Sequence, residues 1–299
     1  MENTALINWY PDLLAILAID LILAIILLTA FRKLAALISN INTADELASK
    51  DNFAFGLVFA GGLISLSIVL TGVVSGDAGH SLFSEIVLVV TYGVLGIILM
   101  MLSRKVLDNF ALPDINIHEE IMKGNMAAAI VDTGNLLATA IIVKAAMNWI
   151  DDNSLFGLIS VVIGFIVSQL VLILVTQYRN RVYASRHNGK SLQDALRANN
   201  KAIALRYCGH KIGVALAVTA ASGFVAYNDE RILMASLAWG LISVILTVAL
   251  SLIAIAARHV ILAKIDVVSE VDDQQNIGVG FIEATIYVSI GLLLAALIA

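Results

Sequence analysis

Eight apolar segments, each about twenty residues long, follow one another through this chain and decide what it can fold into. They cover residues 12–31, 53–74, 83–103, 126–148, 155–178, 202–226, 233–257 and 277–298. A helix of this length crosses the hydrocarbon core of a bilayer and satisfies its own backbone polar groups, for which lipid offers no partners. The sequence therefore predicts an all-α, polytopic transmembrane helical bundle with eight transmembrane helices.

The loops between these segments differ in charge. Almost all loop lysines and arginines follow segments one, three, five and seven, whereas the other loops hold Arg231 and several acids. The positive-inside rule makes the basic loops cytoplasmic. We therefore expect both termini on the extracytoplasmic side.

Every even-numbered segment opens with one pattern, Asn-x-small-x-small. The asparagines are Asn52, Asn125, Asn200 and Asn276, and three copies reach a glycine at the tenth position, namely Gly61, Gly134 and Gly209. Each asparagine is preceded by an acid at six residues (Glu46, Glu119, Asp194, Glu270) and by an arginine ending the odd-numbered segment (Arg32, Arg104, Arg179, Arg258). An asparagine caps a helix, and small residues let helices approach closely, so we interpret this motif as structural.

Four such copies predict four parallel repeats of a helical hairpin. Because each copy has two spans, successive copies keep one orientation and are related by an axis along the membrane normal, either pseudo-twofold or pseudo-fourfold.

With these motifs the chain resembles the DUF350 family of YjfL-type, or UPF0719, bacterial inner-membrane proteins. Members open paired helices with Asn-x-Ala-x-Ala/Gly followed by Gly. The usual member looks like one four-helix unit, so the resemblance implies a tandem duplication, with residues 1–150 as the first unit and 151–299 as the second. It also implies a bacterial inner (plasma) membrane, in which termini on the extracytoplasmic side are periplasmic. The family's association with envelope-stress genes hints at a role there.

Six ionisable residues fall inside the predicted spans, where each costs at least about 2.5–3.5 kcal/mol and marks a candidate functional site. They are Asp20, Asp132, Arg206, His210, Lys211 and Glu283. A rise of about 1.5 Å per residue puts Asp132, Arg206 and Glu283 in one layer and the other three deeper. Asp132 and Glu283 hold the eighth position of copies two and four. If the copies form a ring, we expect these acids to face each other across a common interior.

Two functional hypotheses follow, beside a structural one in which buried charge pairs fix helix register. In the first, the protein transports protons, cations or a small cationic solute, and Asp132, Glu283 and His210 change protonation. In the second, it is a non-transporting envelope-stress or lipid-organising component that recruits a cytoplasmic partner through a basic loop. That loop contains Arg179, Arg181 and Arg186. The expected partners are the lipid bilayer, a peripheral stress protein and a further copy of the chain.

Several classes of site are absent from the sequence. It has no Walker loop, dinucleotide fingerprint or HExxH, and the single cysteine, Cys208, excludes an internal disulfide and a cysteine-based metal site. No basic tail indicates nucleic-acid binding. We therefore expect neither an enzyme nor a bound cofactor or metal.

Overall fold

The computed structural model describes residues 11–39, 41–74, 82–150 and 155–298, and every regular element in these ranges is helical. The α-helices are α1 (Pro11–Ser39), α2 (Phe53–Val74), α3 (Leu82–Val106), α4 (Ile117–Met122), α5 (Met126–Trp149), α6 (Leu155–Arg186), α7 (Leu192–Arg197), α8 (Lys201–Ser222), α9 (Ile232–Ile261) and α10 (Ile277–Ile298). The predicted all-α class is confirmed.

Seven helices in the described ranges are long and apolar enough to cross a membrane: α1, α2, α3, α5, α6, α9 and α10. The remaining long helix, α8, coincides with the predicted sixth span, but Arg206 and Lys211 lower its hydropathy. Helix α8 packs against α5, α6, α9 and α10. The polar residues of α8 therefore lie against other helices. On a lipid-facing helix such residues would have no protein neighbours.

The odd-numbered predicted spans continue beyond their expected ends on the basic side. Helix α6 extends through Arg186 because no glycine or proline interrupts it before Gly189, and the backbone turns left-handed at Asn188 (φ 53°) and Gly189 (φ 84°). The prediction of a basic loop at Arg179, Arg181 and Arg186 is therefore wrong. These arginines lie on the last two turns of a helix.

A short helical turn precedes each of α2, α5, α8 and α10. The turns are Asp45–Ser49 (π-helical), α4, α7 and Ser269–Asp273 (π-helical). A residue with left-handed backbone follows each: Asp51 (φ 49°), Gly124 (83°), Asn199 (60°) and Gln275 (55°). This residue reverses the chain immediately before the motif asparagine, and we call the end of the bundle where these turns lie the basic end.

The motif asparagines cap their helices as predicted. In all four copies Oδ1 accepts a hydrogen bond from the backbone N–H three residues later, at 3.1–3.2 Å. In the first three copies Nδ2 also donates to carbonyls in the turn of the following copy, at Ile121, Leu196 and Val271. In the fourth copy the Nδ2 of Asn276 donates to Glu270 at 2.8 Å.

The four acids of the motif do not all make the same hydrogen bonds, although their spacing from the asparagine is the same. Glu46, like Glu270, accepts from its asparagine. In the second copy Glu120, and not Glu119, accepts from Asn125 at 3.0 Å, and this bond lowers the pKa of Glu120. In the third copy Asp194 completes a capping box with Ser191 at the start of α7.

The motif glycines set the packing of the even-numbered predicted spans. A Cβ on Gly61, Gly134 or Gly209 would collide with the next such helix, at Thr133, Cys208 and Ala284 respectively. Helices α2, α5, α8 and α10 therefore pack in a row, with α1, α3, α6 and α9 beside them. Within the described ranges α10 packs closely against α8 and α9, whereas it makes no contact of similar extent with α2. The row is open, and these helices do not close into a ring within the described ranges.

Candidate functional site

The predicted charged residues do not form one network. Asp132 lines a first cavity, whereas Arg206, His210 and Glu283 line a second, and no residue lines both. The reason is the open row, in which α8 lies between α5, which carries Asp132, and α10, which carries Glu283. The expectation that Asp132 and Glu283 face each other across a common interior is therefore wrong.

The first cavity, of about 380 Å³, lies between α1, α2, α3 and α5. Arg104 at the end of α3 forms a bidentate ion pair with Asp132, with Nε to Oδ1 at 3.1 Å and Nη2 to Oδ2 at 2.6 Å. Lys105 and Asp108 also line the cavity, so its formal charges cancel. Much of the remaining wall is aromatic, from Phe31, Phe55 and Phe59.

The second cavity, of about 470 Å³, is formed mainly by α6, α8, α9 and α10. Its central acid is Glu283, whose side chain is 2% exposed. Arg258 Nη1 donates to Glu283 Oε1 at 2.9 Å, Arg206 Nη1 lies 3.8 Å from Oε2, and His210 Nε2 lies 4.0 Å from Oε1. Arg206 also donates to the buried carboxylate of Asp272.

Arg179 differs from the other arginines of the second cavity. Its Nη1 lies 3.3 Å from His210 Nε2, and its guanidinium carbon lies 5.3 Å from the centroid of the Tyr287 ring. None of the ion pairs in the described part of the chain includes it.

Formal charge in the second cavity is therefore unbalanced. Four arginines line it (Arg179, Arg186, Arg206 and Arg258) with two acids (Asp272 and Glu283). With His210 neutral, the wall carries two positive charges in excess. Guanidinium groups bind phosphate and carboxylate through parallel N–H···O bonds, so this arrangement suits an anion.

Asp20 lies apart from these clusters, whereas Lys211 on α8 is close enough to Asp132 for the two charges to interact. Asp20, on α1, is buried and close enough to Glu85 on α3 for the two carboxylates to interact. Lys211 is also buried, with its ammonium 5.7 Å from the centroid of the Tyr207 ring. The predicted deeper layer of Asp20, His210 and Lys211 is thus divided between the two halves of the chain.

Sequence reasoning missed the arginines that pair with the acids. We expected Arg104, Arg179 and Arg258 only as the ends of odd-numbered segments, whereas all three reach into cavities. The sequence contained a pattern that could have indicated the two ion pairs, because an arginine precedes the acid by 28 residues in copy two and by 25 in copy four. Asp272 carried no comparable signal. Across the described ranges, no group of three or more His, Cys, Asp and Glu side chains is placed to hold a metal ion.

Taken together, the apolar helices and their buried charges define a multi-pass helical membrane protein. The family model for the Domain of Unknown Function (DUF350) matches residues 8–147 and again residues 153–298, so the chain belongs to that family. It is similar to the UPF0719 transmembrane protein of Aquifex aeolicus (strain VF5), with 27% identity over 103 residues. That alignment covers 34% of this chain and 38% of the relative. No solved structure matches the chain.

Proposed function

We propose that the second half of this protein binds an anionic group inside the membrane, and that the protein works by holding or organising such a ligand. The observation that carries this proposal is the excess of arginine in the second cavity, with Arg179 outside every described ion pair. Arg179 is partly buried, and the carboxylate of Glu283 is already paired with Arg258, so a bound anion offsets the cost of the remaining positive charge. Binding, and not catalysis, is the role that these groups support.

This proposal includes a placement in the membrane. We infer that α8 is an eighth span, because its neighbours enclose it, and that the protein has four hairpin copies. The positive-inside rule then makes the basic end cytoplasmic and both termini periplasmic. The family resemblance favours a bacterial inner membrane, whose anionic lipids attract basic groups near the cytoplasmic face.

The proposal is tested with glycerophosphoglycerol, a soluble phosphodiester, added to the purified protein in neutral detergent. A ligand that binds only the folded state raises its thermal unfolding midpoint. We expect the phosphodiester to raise the midpoint of the wild type and of Arg181→Gln, an exposed arginine outside the cavity. We expect it to lose this effect in Arg179→Gln. No effect on the wild type, or an equal effect on Arg179→Gln, contradicts the proposal.

Proton or cation transport is a second candidate, favoured by one observation. Glu283 is buried, and its Oε2 has no hydrogen-bond partner among the described residues. Against this, both predicted carboxylates form ion pairs with arginines, Asp132 with Arg104 and Glu283 with Arg258. Flux into liposomes that falls in Glu283→Gln supports transport, and wild-type liposomes without flux reject it.

Recruitment of a cytoplasmic protein is a further role within the lipid-organising hypothesis. Arg181 and Arg186 are exposed at the basic end of α6 and are available to an acidic partner. Replacing both with glutamine should abolish recruitment, and Arg181→Gln alone, which leaves the cavity arginines unchanged, should weaken recruitment while keeping the phosphodiester effect. Recruitment that survives this change counts against the role.

A further inference from the structure

The second cavity opens sideways, between α6 and α9. Near their N-terminal ends these helices pack tightly, because Gly164 meets the ring of Trp239 and Gly240 meets Val167. From Val171 on α6 and Val244 on α9, side chains of both helices line the cavity instead. The helices therefore enclose a cleft between their C-terminal halves, on the side of the basic end.

The mouth and the interior of this cleft differ in chemistry. The mouth is lined by apolar side chains that face outward, including Leu174 (60% exposed), Val248 (54%) and Leu252 (64%). The interior holds the guanidinium groups of Arg179 and Arg258. Along α9 the lining runs from Val244 to Arg258, a length of about 20 Å at the rise of an α-helix.

This combination selects one class of ligand. A soluble anion needs the arginines but gains nothing from an apolar mouth that faces hydrocarbon. A phospholipid has an anionic headgroup to pair with arginine and acyl chains to occupy the mouth. Basic pockets between transmembrane helices on the cytoplasmic side bind anionic headgroups for this reason.

The first half provides a comparison within the same chain. Counted from the motif asparagines, Arg206 corresponds to Val58, His210 to Gly62 and Tyr287 to Leu136. The first cavity has kept one arginine–acid pair but lacks these polar groups, and its charges cancel. Only the second half therefore has a cavity that is suited to an anion.

We propose that the ligand of the second cavity is an anionic phospholipid of the cytoplasmic leaflet, entering between α6 and α9 with its phosphate on Arg179 and Arg258. This inference rests on the proposed function and names its ligand. It predicts a preference for anionic over zwitterionic lipid that depends on Arg179 and on an open cleft.

The test is native mass spectrometry of delipidated protein with equimolar dioleoyl phosphatidylglycerol and dioleoyl phosphatidylcholine. Loss of a hydrogen-bonded charge changes binding about tenfold or more. We expect the wild type to retain the anionic lipid preferentially and Arg179→Gln to lose most of that preference. Arg181→Gln, two residues away but outside the cavity, should keep it. Equal retention of both lipids by the wild type, or an equal loss in Arg181→Gln, overturns the inference.

The cleft is tested with bulky substitutions on one helix. Val248→Trp fills the mouth and should lower retention of the anionic lipid, whereas Leu241→Trp, 65% exposed on α9 but outside the cavity, should not. If Val248→Trp does not fold, wild-type protein is photolabelled instead with a phosphatidylglycerol that carries a diazirine in its acyl chain. Labelling of α6 and α9 around the cleft supports lateral entry, and labelling elsewhere overturns it.

Anion binding and phospholipid binding are contradicted by different results. An Arg179-dependent effect of the soluble phosphodiester without preference for the long-chain lipid rejects this inference alone. A wild type that responds to neither ligand rejects the proposed function as well.

Discussion

Arginines at equivalent helix ends have different partners because the residue at the eighth motif position differs. In copies two and four this residue is an acid, and Arg104 and Arg258 form ion pairs with Asp132 and Glu283. In the third copy Tyr207 takes the position. Arg179 then contacts His210 and the Tyr287 ring. With tyrosine in place of an acid at this position, the partly buried guanidinium of Arg179 is left for a ligand.

At this scale we predict an asymmetric response of the Arg104–Asp132 pair. The side chain of Asp132 is 5% exposed and that of Arg104 is 31% exposed. Arg104→Met leaves a buried carboxylate without a partner and should lower the free energy of unfolding by about 3 kcal/mol, the low end for a buried pair. Asp132→Leu should cost less, because Arg104 can extend to water.

The double variant Arg104→Met/Asp132→Leu completes this cycle. Replacing both partners with apolar side chains removes the charge and its partner together, so stability should return to within about 1 kcal/mol of the wild type. Unfolding in mixed micelles, followed by circular dichroism, measures all four proteins. A double variant as unstable as Arg104→Met contradicts the account of the pair.

At the scale of helices, the motif glycines explain why the fourth copy departs from the pattern. Gly209 allows α8 to approach the backbone of α10 at Ala284. The corresponding residue on α10 is Thr285, which is exposed and donates a hydrogen bond to the Phe281 carbonyl at 2.9 Å. No further even-numbered span packs on this face within the described ranges, so the position has no need of glycine.

We predict that Gly209→Thr destabilises the protein more than Thr285→Gly does. In Gly209→Thr the new Cβ would lie within 2.6 Å of the Ala284 carbonyl oxygen, and a backbone atom cannot move aside cheaply. Overpacking of this kind should cost about 3 kcal/mol or more. Thr285→Gly should cost less than about 1 kcal/mol, the helix propensity of glycine. Thermal unfolding of both variants measures the difference, and equal losses would contradict the packing of the row.

The whole molecule shows which features sequence patterns can predict. The apolar spans, the caps at Asn52 and its equivalents and the close approach at Gly61 are local, and their spacing indicated them. The pairing of Asp132 with Arg104 was not predicted, because depth alone does not say which helices are neighbours. The row of α2, α5, α8 and α10 supplies that information, and it separates the two acids that we expected to meet.

The duplication also produced two unequal halves. The first cavity is electrically balanced, whereas the second combines excess arginine with a lateral opening. We infer that only the second half retains an anionic ligand.

Electron cryomicroscopy of the full chain in phosphatidylglycerol nanodiscs tests this difference between the halves. We expect headgroup density within hydrogen-bond distance of Arg179 and Arg258, with acyl density between α6 and α9 and none beside Arg104. An empty second cavity, or equal density in both halves, would contradict it.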